Sequence, residues 1–243
     1  MILHTAAKII KSLITRSYDS AFEVNIQNIE KSIKSTGPHN SILDVGCWDG
    51  KWTIHWAKIA KSKKIWGIEP TKKAANRART LGVNTFSIPA DTIKWPLPSN
   101  SIDCIVSNQV IEHLNDMDKF FLEASRVLKP GGVIITSTNN LSSVHNLLAM
   151  ALGWAPFDLA NCSYNSSSLG NPLSLHIHAQ KCSEPSWTHK CVYTAYWLNS
   201  WQKIYGLIPQ FTLGAGLYPF PASWGKVVKT YSAFITVVAK KVN

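Results

Sequence analysis

The stretch ILDVGCWDG, residues 42–50, decides how this chain folds. Ile42, Leu43 and Val45 form a short apolar run that reads as a buried strand. Asp44 interrupts it, and a turn follows with Gly46 and Gly50 at its ends and Trp48 at its centre. Beyond the turn, KWTIHWAKIAK carries Trp52, Trp56 and Ile59 at helical spacing. Glycines let such a turn approach a ligand closely, and the helix start beyond it offers N–H groups to that ligand.

The same alternation runs on to residue 138. KIWGIE reads as a second strand, and TKKAANRARTL as a helix with Thr71 placed to cap it. VNTFSIPAD reads as a third strand and IDCIVSN as a fourth. MDKFFLEASRVL is a helix that Gly131-Gly132 should stop, and VIITST is a fifth strand. Strands separated by ten-residue helices imply parallel pairing with right-handed crossovers: an α/β, doubly wound sheet with helices on both faces. Such sheets bind ligands beyond the carboxyl ends of their strands. The candidate residues are therefore Asp44 to Gly50, Glu69, Asp91, Asn108 to His113, and Asn139-Asn140.

Glu69 lies nineteen residues past Gly50, where a carboxylate accepts both hydroxyl protons of a ribose. A dinucleotide turn would read G-x-G-x-x-G. The spacing here is Gly46-x-x-x-Gly50, which argues against a nicotinamide oxidoreductase. Asp44 would attract a cationic, amino-acid-bearing ligand and repel a pyrophosphate.

At these positions the sequence resembles a family. LDVGCWDG is similar to the first motif, D-x-G-x-G-x-G, of class I S-adenosylmethionine-dependent methyltransferases with a type 11-like domain. IEP, IPADTIKWPLPSNSIDCIVSN, QVIEHLND and RVLKPGGVIITSTNN resemble its later motifs in order. The likeness covers about residues 40 to 140, and continues loosely through HKCVYTAYWLNSWQKIYGL and FITVVAKK. It implies a Rossmann-like seven-stranded sheet, mostly parallel, with an antiparallel last strand, and S-adenosyl-L-methionine as cofactor. It also implies the roles. Gly46, Cys47 and Gly50 line the methionine part, and Asp44 organises the turn or meets the ammonium. Glu69 holds the ribose, with Pro70 beside the adenine. Asp91 accepts from the adenine amino group, the Thr92 N–H meets a ring nitrogen, and Asn108 and Gln109 close over the methionine end.

In-line methyl transfer needs alignment, plus a base where the acceptor is a hydroxyl. His113, just after the fourth strand, is the candidate catalytic base. A helix-start histidine bonded to backbone is the plainer reading. His145, His176, His178 and His189 are further histidines. Only His189 falls in a stretch with family similarity, so His189 and Asn139 are candidate substrate residues. His176-Ile-His178 invites a metal reading, but no third ligand stands at a useful spacing, and no metal is expected.

Trp48 departs from the family, which has its middle glycine there. If that position needs φ > 0, a tryptophan costs roughly 1–2 kcal/mol. If φ is negative, the ring packs at little cost. The departure leaves open an impaired or non-catalytic methyltransferase-fold binding protein.

Composition bounds the partners. Of 243 residues, 45% are hydrophobic and 16% charged, with ten tryptophans, so apolar surface is available for a substrate, a partner or a bilayer. The net charge of +11 lies mostly at the two ends, with fourteen Lys/Arg against six acids in residues 1–80. Five scattered cysteines without C-x-x-C spacing suit a reducing cytosol. MILHTAAKIIKSLITR reads as a basic amphipathic helix, a lid or core-packing helix or else a membrane-surface anchor, and not as a secretory signal. The expected organisation is an N-terminal helical lid over 1–38, a cofactor-binding core over 39–140, a substrate-roof insertion over 141–190, and a closing helix and strands over 191–243. In the insertion, LLAMALGWAPF reads as an apolar helix and NCSYNSSSLGNP as a polar loop. Ser107-Asn108-Gln109-Val110 lacks the [DNS]-P-P-[YF] motif of amino-methylating nucleic-acid enzymes. The expectation is a cytoplasmic O-methyltransferase acting on a small-molecule, sugar or lipid-linked acceptor. Peripheral membrane contact could come through the N-terminal helix or residues 141–157.

Overall fold

The computed structural model describes residues 2–174 and 185–242, with the side chains of residues 2–15 and 185 left out of the description. His176 and His178 lie outside the described residues. Helix α1 (Ile2–Thr36) opens the chain, and the amphipathic face expected over its first residues lies on side chains outside the described ones. Then come β1 (Ser41–Val45), α2 (Lys51–Ala60), β2 (Lys64–Ile68), α3 (Lys72–Thr80), β3 (Asn84–Phe86) and β4 (Ile102–Asn108). Helix α4 (Met117–Val127), β5 (Leu128–Asn139), α5 (Val144–Ala151), α6 (Ala195–Ile204), β6 (Leu207–Ala215) and β7 (Phe234–Lys241) complete the chain.

The strands form one seven-stranded sheet in the order β3-β2-β1-β4-β5-β7-β6. Pairings from β3 through β5 are parallel. Strand β7 enters antiparallel between β5 and β6. Asn140 N–H donates to Ala233 O at one end of β5, and Lys241 Nζ reaches Leu128 O at the other. Against β6, Ala233 N–H donates to Gly216 O and Val242 N–H to Gly206 O. Opposite ends meet in both cases, so only β7 runs against the rest.

The described residues group into two compact units. One holds Ile29–Thr138, Ala195–Thr212 and Thr236–Asn243, and with them nearly all of the sheet. Its middle is the apolar run expected of a strand layer covered on both faces: Ile42, Leu43, Ile105, Val106, Ile134 and Ile135 are fully buried. The other unit gathers Met1–Asn28, Asn139–Thr194 and Leu213–Ile235. The described residues of 141–190 fall within it, and so does most of the first helix. There Asn140 is an internal tie, its amide donating to Thr230 O at 2.9 Å and Ser232 O at 2.7 Å.

Three local expectations are corrected. The third strand is Asn84–Phe86, not the whole of VNTFSIPAD, because Pro89 brings no N–H to a ladder. Thr71 precedes α3 but caps it with no side-chain hydrogen bond. Gly131-Gly132 does not end α4. The helix stops at Val127 ahead of Pro130, and the glycines lie inside β5. They serve a bulge, since Ile102 faces Leu128 while Cys104 already faces Val133. A Cβ on Gly132 would stand 2.9 Å from Lys129 O and 3.1 Å from Asp103 O, so only glycine lets β5 lie on β4 there.

Candidate active site

The turn after β1 is tied to the end of β2. Gly46 N–H and Cys47 N–H both donate to Ile68 O, at 2.8 and 3.2 Å, and Gly50 N–H closes the turn on Cys47 O at 2.9 Å. Trp48 N–H donates to Glu69 Oε2 at 3.1 Å. The other oxygen of that carboxylate accepts from Thr71 N–H at 2.8 Å. Glu69 is buried, and its two oxygens hold the glycine turn and the start of α3 together. Each oxygen keeps acceptor capacity for a further hydroxyl proton.

Trp48 lies at φ +45°, in the left-handed region, with 41% of its surface exposed. The family's glycine position does need φ > 0 here. The turn accepts a tryptophan because its working group is the backbone N–H, not the side chain. The two glycines at φ +80° and +82° are needed for a different reason from the one the sequence suggests. A Cβ on Gly46 would stand 2.3 Å from Val110 Cγ2, and one on Gly50 2.8 Å from Ala78 Cα. Close approach of protein, from the loop after β4 and from α3, excludes side chains at both. Cys47 packs its side chain with Ala78 and Val83, leaving its backbone to the turn.

Asp44 is buried in β1, and Thr53 Oγ1 on α2 donates to its Oδ2 at 2.5 Å. Burial pushes its carboxyl up to about 7. The Thr53 hydrogen bond opposes that shift, and the Glu69 charge adds to it. Asp91 is buried in the loop after β3, and its Oδ2 accepts from Asn115 N–H at 2.7 Å. That loop is clamped at its far side. Glu123 Oε2 accepts from Trp95 N–H at 2.7 Å, and Arg126 donates to Leu97 O and Trp95 O. Pro70 and Thr92 are exposed beside Glu69 and Asp91.

At the end of β4, Asn108 and the following Gln109 are partly buried, and Gln109 adopts φ +54° with its N–H on Ser137 O. Its side-chain Nε2 is buried without a hydrogen-bond partner. His113 closes the short 3-10 turn Ile111–His113, with its N–H on Val110 O. Beside it Glu112 is buried and accepts from Thr138 Oγ1 at 2.8 Å. Asp44, Gly46, Glu69, Pro70, Asp91, Thr92, Asn108, Gln109 and His113 thus all belong to the sheet-bearing unit, at or just past the carboxyl ends of β1 to β4. Asn139 and His189 belong to the other unit. There His189 is buried with its Nδ1 against Asp158 O.

Motif reading missed four supports: Thr53 on Asp44, Asn115 on Asp91, Val110 over Gly46, and Thr138 on Glu112. Val110, Glu112, Asn115 and Thr138 all lie in the quoted motifs and Thr53 in the helix after the turn, but nothing in the spacing marks which residue each of them meets.

These residues fit a ligand with a ribose, an adenine and a charged amino-acid end. Glu69 offers acceptors for two hydroxyls. Asp91 keeps Oδ1 for an amino group. The buried Gln109 Nε2 lacks an acceptor that a carboxylate would supply. Asp44 gains from a nearby cation.

A family model described as methyltransferase domain matches residues 43–136. An uncharacterized methyltransferase of Schizosaccharomyces pombe is 32% identical over 124 residues, 46% of this chain and 44% of that protein. A malonyl-[acyl-carrier protein] O-methyltransferase of Yersinia pestis is 28% identical over 129 residues, 52% of this chain and 48% of that one. The chain thus spans less than half the length of these curated relatives. In fold it is similar to an S-adenosylmethionine-dependent methyltransferase of Thermotoga maritima, with TM-score 0.57 and 17% identity, over 96% of this chain and 98% of that one. It is similar as well to the geranyl diphosphate C-methyltransferase of Streptomyces coelicolor, solved with S-adenosyl-L-homocysteine, with TM-score 0.56 and 16% identity over 90% of this chain and 80% of that one. The glycine turn, Glu69 and the strand order all lie in or around the matched segment, so residues 43–136 are similar to a methyltransferase domain and the fold is that of S-adenosylmethionine-dependent methyltransferases.

Proposed function

We propose that the protein is a methyltransferase that uses S-adenosylmethionine to methylate an oxygen of a small-molecule, sugar or lipid-linked acceptor. The observation that carries this reading is the buried Glu69 carboxylate, fixed by the Trp48 and Thr71 N–H groups at the mouth of the glycine turn. Bound there, S-adenosylmethionine supplies a methyl group on a positively charged sulfur. The protein's own part is alignment: Glu69 on the ribose, Asp91 on the adenine amine, Gln109 on the carboxylate and Asp44 toward the ammonium. The O-methyltransferase of Yersinia pestis supports oxygen as the accepting atom.

Calorimetric titration tests the cofactor. Micromolar binding of S-adenosylmethionine and S-adenosylhomocysteine is expected, with none of NADH. Trp48→Gly is expected to change that affinity by less than about threefold, because the turn keeps its φ and its N–H on Glu69. Absence of binding by both sulfur ligands would overturn the reading. A large gain in Trp48→Gly would instead favour an impaired binding protein.

His113 is the proposed base that takes the acceptor's hydroxyl proton. His113→Ala should lower kcat about 100-fold and flatten its rise between about pH 6 and 8. Full turnover across that range would remove His113 from the chemistry.

A further inference from the structure

Helix α5 turns its polar side inward. Asn146 and Ala149 are its buried residues, and the Asn146 amide donates to Asp158 Oδ2 at 2.7 Å and to Asn140 O at 3.0 Å. Its exposed positions are apolar: Leu147, Leu148 at 60% exposure, Met150, and then Leu152 at 62%. Between Val144 and Trp154 there is no Asp, Glu, Lys or Arg. A water-facing helix surface ordinarily carries charge, so a run of exposed leucines needs an explanation.

The same unit presents a second exposed stretch of matching character, LYPFPASWGKVVKTY, residues 217–231. It forms two short 3-10 helices, Ala222–Lys226 and Lys229–Tyr231. Phe220, Trp224 at 51%, Val227 at 84% and Tyr231 are exposed, and the Phe220 and Trp224 rings stack 5.3 Å apart. Lys226 and Lys229 stand exposed among them, and the stretch has no acid. Among the described residues Lys226 bonds to a neutral amide oxygen, Gln27 Oε1, at 3.4 Å, and to no carboxylate. The two stretches are neighbours. The His145 ring lies 5.1 Å from that of Tyr218, and Asn140 Nδ2 and Ser142 Oγ both donate to Thr230 O.

We propose that α5 and residues 217–231 form one docking face for the surface of an anionic phospholipid bilayer. Leucines entering the acyl boundary, aromatic rings at headgroup level and lysines toward phosphate are the composition that an interfacial surface needs. No described helix is long and apolar enough to cross a membrane, so the contact is one of lying on the surface. The charge disfavours a second copy as the occupant. Two-fold pairing would bring Lys226 and Lys229 of both copies together with no acid in the stretch to offset them. The inference does not rest on the proposed chemistry, because vesicle binding is read without cofactor or acceptor.

The test is co-sedimentation of the full chain with vesicles of phosphatidylcholine containing about one third phosphatidylserine, against pure phosphatidylcholine, in about 0.1 M salt. The mixed vesicles are expected to bind at least tenfold more tightly. The double variant Lys226→Gln/Lys229→Gln should lose about tenfold on mixed vesicles only. Leu148→Ser/Leu152→Ser should lose about tenfold on both. Circular dichroism checks that each variant is folded, and the lysine variant decides should the leucine variant unfold. No sedimentation of the native chain overturns the proposal. So does sedimentation that neither variant changes, which would move the contact elsewhere on the chain. A dimer by light scattering that Leu148→Ser/Leu152→Ser converts to monomer would give the face to a second copy instead.

Discussion

Glu69→Ala is expected to weaken binding of S-adenosylhomocysteine by about three orders of magnitude, as two charge-assisted hydrogen bonds at roughly 1.5–3 kcal/mol each would predict. The loss has a second source in the protein itself. Trp48 N–H and Thr71 N–H both end on this carboxylate, so its removal frees the glycine turn and the start of α3 together. Unfolding in urea should accordingly show a loss of about 1–3 kcal/mol. Glu69→Gln keeps one acceptor oxygen. It should recover only part of the stability, because its NH2 group would face one of the two backbone N–H groups, and stay about 10- to 100-fold weaker for the ligand, because an amide accepts from one hydroxyl where a carboxylate accepts from two. Near-native affinity in Glu69→Ala would place the ribose elsewhere.

Asp44 should make both stability and cofactor binding depend on pH. Its carboxyl is raised to about 7 in the folded protein from an ordinary 3.8, chiefly by burial. Between those values the native state holds a proton that the unfolded state has released. Stability of the free protein therefore falls as pH rises from about 4 to about 7 and is level above, a total of up to about 4 kcal/mol. Asp44→Asn, which keeps an acceptor for Thr53 Oγ1, should remove that slope and melt higher than the native chain at pH 8. A cationic ligand beside Asp44 favours the ionised carboxylate. Affinity for S-adenosylmethionine should thus rise by up to tenfold per pH unit below about 7 and level off above it, with proton release on binding below that point. The variant's affinity should be flat with pH and weaker only on the alkaline side. A native binding curve that is flat from pH 5 to 8 would show that Asp44 does not sense the ligand's charge.

The alternation of strand and helix was legible because burial on both faces writes it into the chain. IDCIVSN is β4 from end to end, and MDKFFLEASRV is α4. Segments that depend on one local rule were read less well. Thr71 has the right chemistry for a cap, yet its side chain makes no cap hydrogen bond, and its contribution is a backbone N–H given to Glu69. Gly131-Gly132 looks like a helix stop because glycine breaks helices. Their actual constraint is a neighbouring strand whose carbonyls stand within about 3 Å, a contact that the local sequence does not encode.

The sequence by itself determined the layer order and the strand ends that carry Asp44, Glu69, Asp91 and Gln109. Each of these follows from periodicity and motif spacing, which are local along the chain. The tertiary structure alone decided the sign of φ at Trp48, the pairing of Trp48 with Glu69 and of Thr53 with Asp44, and the raised carboxyl that results. It alone decided that Val110 and Ala78 crowd any side chain at 46 and 50, and that the expected antiparallel last strand, β7, slots between β5 and β6. All of these depend on residues far apart in the chain meeting at hydrogen-bond or van der Waals distance, and a linear pattern does not carry such distances.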